Sequence, residues 1–162
     1  TTDTKVRMNP NLYANGKVCL SLLGTWSGPQ WTSCQNLSSI ILSILMIMNE
    51  NPINNEPGYH TLTKENPSAM LYNYMISHAN IRVATIMMLE NPPKGFKVFE
   101  EDLKTYFMKN FDWYYQFCKK EKTNKKNKQI IKSPIYNWYE KINYSKLCKQ
   151  LKELKKKYQT IP

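Results

Sequence analysis

Residues 9–26, NPNLYANGKVCLSLLGTW, are the stretch from which the fold of this chain is predicted. The pair Asn15-Gly16 within it readily adopts positive φ and predicts a tight turn. This turn can fold Asn11 back toward Cys19, which follows it by eight residues. The stretch therefore predicts a hairpin that carries a side-chain amide close to a thiol.

Outside the turn, the sequence contains two short strand patterns and several helical ones. Residues 5–8 and 17–23 have the composition of strands. Residues 36–50 are apolar on nearly every side, which predicts a helix surrounded by other structure. Helical patterns also cover residues 68–90, 98–122 and 144–158. Because a two-stranded hairpin is marginal alone, we expect further strands, and a helix, to belong before residue 1 of an α+β fold.

Composition limits the classes of protein that the chain can represent. A content of 41% hydrophobic residues in 162 is enough for a buried core. The most apolar run, residues 40–48, is far shorter than the roughly 20 residues of a membrane span, and the first eight residues lack the apolar region of a signal peptide. The four cysteines, Cys19, Cys34, Cys118 and Cys148, form no C-x-x-C pair. Reduced thiols and no metal, in a cytoplasmic or nuclear protein, are therefore the expectation.

The positive charge of the chain is confined to its end. Residues 119–162 hold 14 lysines and 3 glutamates, which accounts for the whole net charge of +11. Such a segment could attract nucleic acid, an anionic membrane surface or an acidic protein, or could simply be a solvated helix face. Only Arg7 and Arg82 are arginines, and no nucleic-acid motif is present. A nucleic-acid-binding protein is therefore the weakest of the functional alternatives.

Cys19 and Asn11 have a chemical interpretation that does not depend on any family. A cysteine without a histidine nearby is poorly suited to cleave amides, because that reaction needs a general base and later an acid. It can still exchange thioesters, whose acyl group is already activated. When an amine attacks such a thioester, an asparagine amide can stabilise the charge on the carbonyl oxygen by about 3 kcal/mol. The alternative is that Cys19 is an ordinary buried cysteine of a strand.

A set of motifs in fixed order resembles the ubiquitin-conjugating (E2) enzyme family. The family has an H-P-N tripeptide whose asparagine precedes the active-site cysteine by eight residues, then a tryptophan, a W-S-P-A-like loop and a buried helix. The large E2s resemble this chain more closely, because they have asparagine in place of that histidine. The matching elements are Asn9-Pro10-Asn11, Cys19, Trp26, Trp31-Thr32-Ser33-Cys34, the helix from about Leu37, and the NEPG sequence of residues 55–58.

The resemblance implies a fold and a domain organisation. It predicts a UBC-like α+β fold, an antiparallel sheet backed by helices, that lacks its amino-terminal part. Residues 1–92 would form the carboxy-terminal portion of the UBC domain. Residues 93–162 would form a helical, lysine-rich extension.

The resemblance also implies a set of functional residues. Cys19 would carry ubiquitin or a ubiquitin-like protein as a thioester, and Asn11 would assist its transfer to a lysine amine. The loop of Asn54, Asn55 and Glu56 would flank the active site. A further loop, with Trp31, Ser33 and Cys34, would contact the E3 ligase.

The same resemblance names partners and excludes cofactors. The partners would be the modifier, an E1 activating enzyme and an E3 ligase, with no membrane. No cofactor or metal would be needed, since the E1 uses the ATP.

Two departures from the family keep another class of function open. The first helix and strands that the family uses to meet E1 and E3 have no counterpart in this sequence. Ser33 and Cys34 stand where proline and alanine are usual. A non-catalytic module that holds ubiquitin or an E3 is therefore the main alternative, although inactive family members lack the cysteine that this chain retains as Cys19.

Overall fold

The structure, a computed structural model, describes residues 5–159. Its contacts divide the chain into two compact units, with the boundary between Tyr74 and Met75. The domain boundary predicted from the sequence, between residues 92 and 93, falls inside the second unit and stays a prediction. None of the helices in the described part of the chain has the length and apolar character needed to cross a membrane.

The first unit begins with tight turns where strands were predicted. Residues 5–8 and 17–23 form no strand, so that prediction is wrong. Only isolated bridges join Leu12 to Asn9 and to Val18. The backbone groups of the turn bond to each other, with the Tyr13 amide donating to the Lys17 carbonyl at 2.9 Å. A 3₁₀ turn, Ser21–Leu23, then ends at Gly24, whose φ of 65° suits a residue without a side chain.

Helix α1, Leu37–Ile47, starts at a capping box. The Asn36 side chain accepts from the Ser39 amide, and the Ser39 hydroxyl accepts from the Asn36 amide, each at 3.3 Å. The prediction that this helix is buried on all sides is wrong, because none of its residues is buried. Ile40, Ile44 and Ile47 are half-buried, whereas the described residues leave the other apolar side chains of the helix exposed.

Helix α2, Pro67–Ala79, packs its first half into the core of the first unit. Tyr72 is fully buried there together with Val6 and Ile53. Its hydroxyl donates to the Arg7 carbonyl at 3.0 Å, and burial raises the pKa of Tyr72 well above its usual range. The amino-terminal segment is therefore fixed against α2 by a hydrogen bond from a buried side chain.

The sequence predicts one continuous helix over residues 68–90, but the structure interrupts it. After α2, residues Asn80–Met87 form a π-helix, and α3, Met88–Glu90, completes the segment. A wider turn shifts side chains relative to those of an α-helix, and such turns often occur at functional sites.

The second unit is built on two long helices. Helix α4, Glu100–Glu121, follows a 3₁₀ segment, Lys94–Phe99, and packs against α5, Tyr144–Gln159. The apolar face of α5, formed by Leu147, Leu151 and Leu154, is buried. The prediction of a helical carboxy-terminal extension is confirmed, and its lysine-rich last helix is part of a core.

The only sheet among residues 5–159 is a short hairpin that the sequence did not indicate. Strands β1, Ile130–Lys132, and β2, Tyr139–Lys141, pair antiparallel with Ile131 opposite Glu140. Both of these central residues are buried. The α+β class is confirmed, but this sheet lies elsewhere than predicted, since a strand of three residues is too short to show alternation.

Candidate active site

The turn at Asn15-Gly16 brings Asn11 and Cys19 together. The Cys19 amide donates to the Asn11 carbonyl at 2.8 Å, and the Asn11 Nδ2 group donates to the Cys19 carbonyl at 2.8 Å. Two hydrogen bonds of opposite direction therefore fix the pair. The proximity predicted from the sequence is present in the structure, and the catalytic roles of both residues stay predictions.

The thiol of Cys19 lies in a small loop that Thr25 closes. Only 4% of Cys19 is exposed, and its Sγ donates to the Thr25 carbonyl at 3.2 Å. The Thr25 hydroxyl accepts from the Leu20 amide at 2.9 Å and donates to the Val18 carbonyl at 2.6 Å. Thr25 thus binds the backbone on both sides of the cysteine. Sequence reasoning missed this residue.

Asn9 connects the tripeptide to the end of helix α1. Its side chain is 1% exposed, and its Nδ2 group donates to the carbonyl of Ile47, the last residue of the helix, at 2.8 Å. Its Oδ1 accepts from the Asn11 amide at 2.9 Å and from Asn55 Nδ2 at 3.3 Å. Asn9 therefore positions Asn11 through the backbone. It was absent from the predicted site residues because the motif match pointed only to the second asparagine.

The predicted flanking loop lies in a 3₁₀ turn, Pro52–Asn55, and the residue after it. Asn55 donates to the Ile47 carbonyl at 3.0 Å, and Asn55 and Glu56 line the same cleft as Cys19. Asn54 does not line that cleft. Its Nδ2 group donates to the Leu62 carbonyl at 3.0 Å, which holds the loop instead.

The cleft beside the thiol, which we name the Cys19 cleft, has a volume of about 240 Å³. The Arg7 guanidinium lies over the Tyr13 ring, 3.8 Å from its centre, and 4.0 Å from the Glu56 carboxylate. The cleft therefore presents an amide, a thiol and both signs of charge to an incoming group. Its lining consists of Arg7, Pro10, Asn11, Tyr13, Cys19, Trp26, Asn55, Glu56 and Pro57.

The predicted partner loop is exposed and separate from this cleft. Trp31, Ser33 and Cys34 are all exposed, and none of them lines the Cys19 cleft. Trp26 lines the cleft while about half of its surface is exposed, at 51%. The structure thus brings Cys19, Asn11, Asn55 and Glu56 together and leaves the partner loop as a surface feature.

The part of the chain that the structure describes contains no cluster of side chains that could bind a metal ion. No group of three or more histidine, cysteine, aspartate or glutamate side chains lies close enough there to hold an ion. All four cysteines are free thiols, and Cys19 and Cys118 are the buried ones.

The chain is similar in sequence to known proteins. Residues 2–73 match the sequence profile of a family described as ubiquitin-conjugating enzyme. Over 119 residues, which are 74% of this chain, the sequence is 44% identical to ubiquitin-conjugating enzyme E2 Z of Xenopus tropicalis and covers 38% of it. E2 Z of Homo sapiens is 42% identical over 119 residues, and 33% of it is covered. A probable ubiquitin-conjugating enzyme E2 24 of Arabidopsis thaliana is 37% identical over 112 residues, 62% of this chain and 12% of that relative.

The chain spans between 33% and 38% of the length of these E2 Z relatives. The family match includes the segment that holds Asn9-Pro10-Asn11 and Cys19. The predicted resemblance is therefore confirmed: residues 2–73 match the ubiquitin-conjugating enzyme (E2) family, and most of the chain is similar in sequence to E2 Z.

Proposed function

We propose that this chain accepts ubiquitin or a ubiquitin-like protein on Cys19 and passes it to a lysine amine. The observation that carries this proposal is the pair of hydrogen bonds between Asn11 and Cys19, each 2.8 Å long. They place an amide group beside a cysteine in a cleft that has no other nucleophile of this kind.

In the first step, the Cys19 sulfur attacks the thioester carbonyl that the E1 enzyme presents. The new bond joins Cys19 Sγ to the modifier's terminal carbonyl carbon, the bond from that carbon to the E1 sulfur breaks, and the departing E1 thiolate takes up the proton that the Cys19 thiol loses. Because one thioester replaces another, this exchange needs little driving force. Cys19 must first give up the hydrogen bond that its thiol donates to the Thr25 carbonyl.

In the second step, a lysine amine attacks the Cys19 thioester. An amide bond forms, the carbon–sulfur bond breaks, and the amine loses a proton as the Cys19 thiol is regenerated. Negative charge develops on the carbonyl oxygen during the attack. An asparagine amide has two hydrogens, of which the Cys19 carbonyl uses one, so the second is the one that would reach this oxygen.

The remaining expectations follow from this chemistry. Neither step consumes ATP or requires a metal, so we propose no cofactor for the chain, with ATP used by the E1. The partners would be the modifier, an E1 and an E3 ligase that approaches through the loop of Trp31, Ser33 and Cys34. Reactive thiols favour a reducing compartment, either the cytoplasm or the nucleus.

A non-catalytic role as a module that binds ubiquitin or an E3 is the second candidate. The small exposed fraction of Cys19, 4%, favours it, because a thiol must reach a bulky thioester to be charged. The two proposals differ in one product. Only the catalytic function yields a covalent adduct that a thiol reductant removes.

A charging assay separates the two functions. The chain is incubated with E1, ATP and ubiquitin and then run on a non-reducing gel. We expect an adduct that reductant removes, that Cys19→Ala abolishes, and that the matched control Cys34→Ala retains, because Cys34 is exposed but lies outside the cleft. An adduct that persists in Cys19→Ala would refute the assignment, and binding of ubiquitin without any adduct would favour the non-catalytic module.

A further inference from the structure

The second unit contains a cleft of about 480 Å³ whose floor is a buried cluster of ionisable groups. We name it the Arg82 cleft, after a lining residue that binds the buried Glu140. Its volume lies in the range of ligand-binding clefts, roughly 300–1,000 Å³. Its polar lining includes His78, Arg82, Tyr139, Glu140, Lys141 and Lys146.

Glu140, which is 2% exposed, is the centre of the floor. It accepts two hydrogen bonds from Arg82, at 2.8 Å from Nε and 3.0 Å from Nη2. Its Oε1 also lies 2.7 Å from His78 Nδ1. Since His78 Nε2 accepts from the Asn143 amide at 2.9 Å, Nδ1 carries the proton and donates to Glu140. The single acid of the cleft is therefore fully engaged by its own neighbours.

The π-helix sets the position of Arg82. His78 lies at the end of α2, and Arg82 lies four residues later in the π-helix Asn80–Met87. Both side chains contact the Glu140 carboxylate. Irregular turns of this kind are uncommon and recur at functional sites.

The rim of the cleft is positively charged. Lys141 ends β2 and Lys146 lies in the first turn of α5, and both side chains are exposed. Among residues 5–159, no carboxylate forms a salt bridge with either lysine. Because Arg82 already neutralises Glu140, the two rim lysines add positive charge that nothing in the cleft balances.

The walls between these charges are partly apolar. Ile86 and Met87 come from the π-helix and Leu147 comes from α5. A ligand that fits would combine anionic groups for the rim with apolar groups for the walls. The excess of lysine in residues 119–162 would also steer an anionic partner toward this unit.

We propose that the Arg82 cleft binds an acidic peptide segment of a partner protein, with its carboxylates on Lys141 and Lys146. The chemistry favours carboxylates over nucleic-acid phosphates. Phosphates are recognised best by bidentate hydrogen bonds from an arginine guanidinium, and the Nε and Nη2 groups of Arg82 already donate to Glu140. The apolar walls suit the side chains of a peptide better than a sugar-phosphate backbone.

Fluorescence anisotropy on the whole chain tests this proposal. The probe is a short fluorescein-labelled peptide of alternating glutamate and leucine, compared with the same peptide carrying glutamine. We expect the chain to bind the glutamate peptide but not the glutamine peptide. The double substitution Lys141→Glu with Lys146→Glu should weaken the affinity for the glutamate peptide by about tenfold. The milder pair Lys141→Gln with Lys146→Gln, which adds no negative charge beside Glu140, should weaken it by about threefold.

The matched control is Lys109→Glu with Lys125→Glu, which changes the net charge equally at two exposed lysines outside the cleft. It should alter the affinity by less than about twofold. Equal weakening by both pairs would overturn the proposal and assign binding to diffuse charge. Absence of binding, or tighter binding of single-stranded oligothymidylate that depends on Lys141 and Lys146, would also overturn it.

Discussion

Replacing Asn9 with alanine should both destabilise the chain and slow the transfer step. The substitution removes the bonds from Asn9 to the Ile47 carbonyl and to the Asn11 amide, at 2.8 and 2.9 Å. Each such hydrogen bond contributes about 1 kcal/mol to the free energy of unfolding, and a buried backbone amide left without an acceptor lowers that free energy by more. The Ile47 carbonyl keeps its bond from Asn55, which limits the loss. We therefore expect unfolding free energy to fall by about 2–3 kcal/mol.

The effect on transfer is distinct from the effect on stability. Asn9→Asp keeps the acceptor for the Asn11 amide but places a carboxylate at the negative carboxy-terminal end of α1, so it should also destabilise. If Asn9 positions Asn11, Asn9→Ala should slow discharge to free lysine by about tenfold, whereas Asn9→Asp should keep most of the rate.

The assays are denaturant unfolding and single-turnover discharge of the charged chain. The control is Asn73→Ala, which removes one exposed bond to the Glu50 carbonyl at 3.2 Å and should change neither quantity by much. If Asn9→Ala and Asn9→Asp slowed discharge equally, in proportion to their loss of stability, the positioning role would be refuted.

The other predictions concern the site and the second unit. Asn11→Ala should load from E1 at nearly the normal rate and discharge to lysine slowly, and equal slowing of both steps in a gel time course would indicate a structural role. Thr25→Val should lower the unfolding free energy by about 2 kcal/mol and slow loading of Cys19, with Thr25→Ser restoring both. Burial alone would raise the pKa of Glu140, but the hydrogen bonds from its two basic neighbours outweigh it and lower that pKa below 4.5, so this cluster stabilises the fold above pH 4.5 and loses its effect as the pH falls further. Glu140→Gln should therefore lower the free energy of unfolding at pH 7 by about 3 kcal/mol, and this loss should shrink as the pH falls through the lowered pKa of Glu140. Leu151→Ala, in the buried face of α5, should cost about 2–5 kcal/mol by denaturant titration, and a smaller loss would mean that the last helix packs loosely.

Local sequence patterns predicted those parts of the structure that local forces determine. The pair Asn15-Gly16 indicated a turn, and the turn accounts for the contact between Asn11 and Cys19. The periodicity of α4 and α5 likewise gave their positions within a few residues, because an amphipathic face is visible in the sequence.

Features that depend on distant contacts were not predictable in the same way. The strand composition of residues 5–8 and 17–23 was present, but a strand also needs a neighbouring strand, which the described residues do not provide. Burial of α1 required a covering surface, and its exposure could not be read from its own residues. The bonds from Asn9 to Ile47 and Asn55 join positions 38 and 46 residues apart, a separation that motif spacing does not encode.

The most direct test of the account is mass spectrometry of the chain after charging with E1, ATP and ubiquitin. Proteolysis at mildly acidic pH preserves thioesters, so the modified peptide can be sequenced. We predict that the carboxy-terminal remnant of ubiquitin is attached to Cys19 and is released by a thiol reductant. Attachment to Cys34, Cys118 or Cys148, or a reductant-resistant bond to lysine with Cys19 unmodified throughout the time course, would contradict the account.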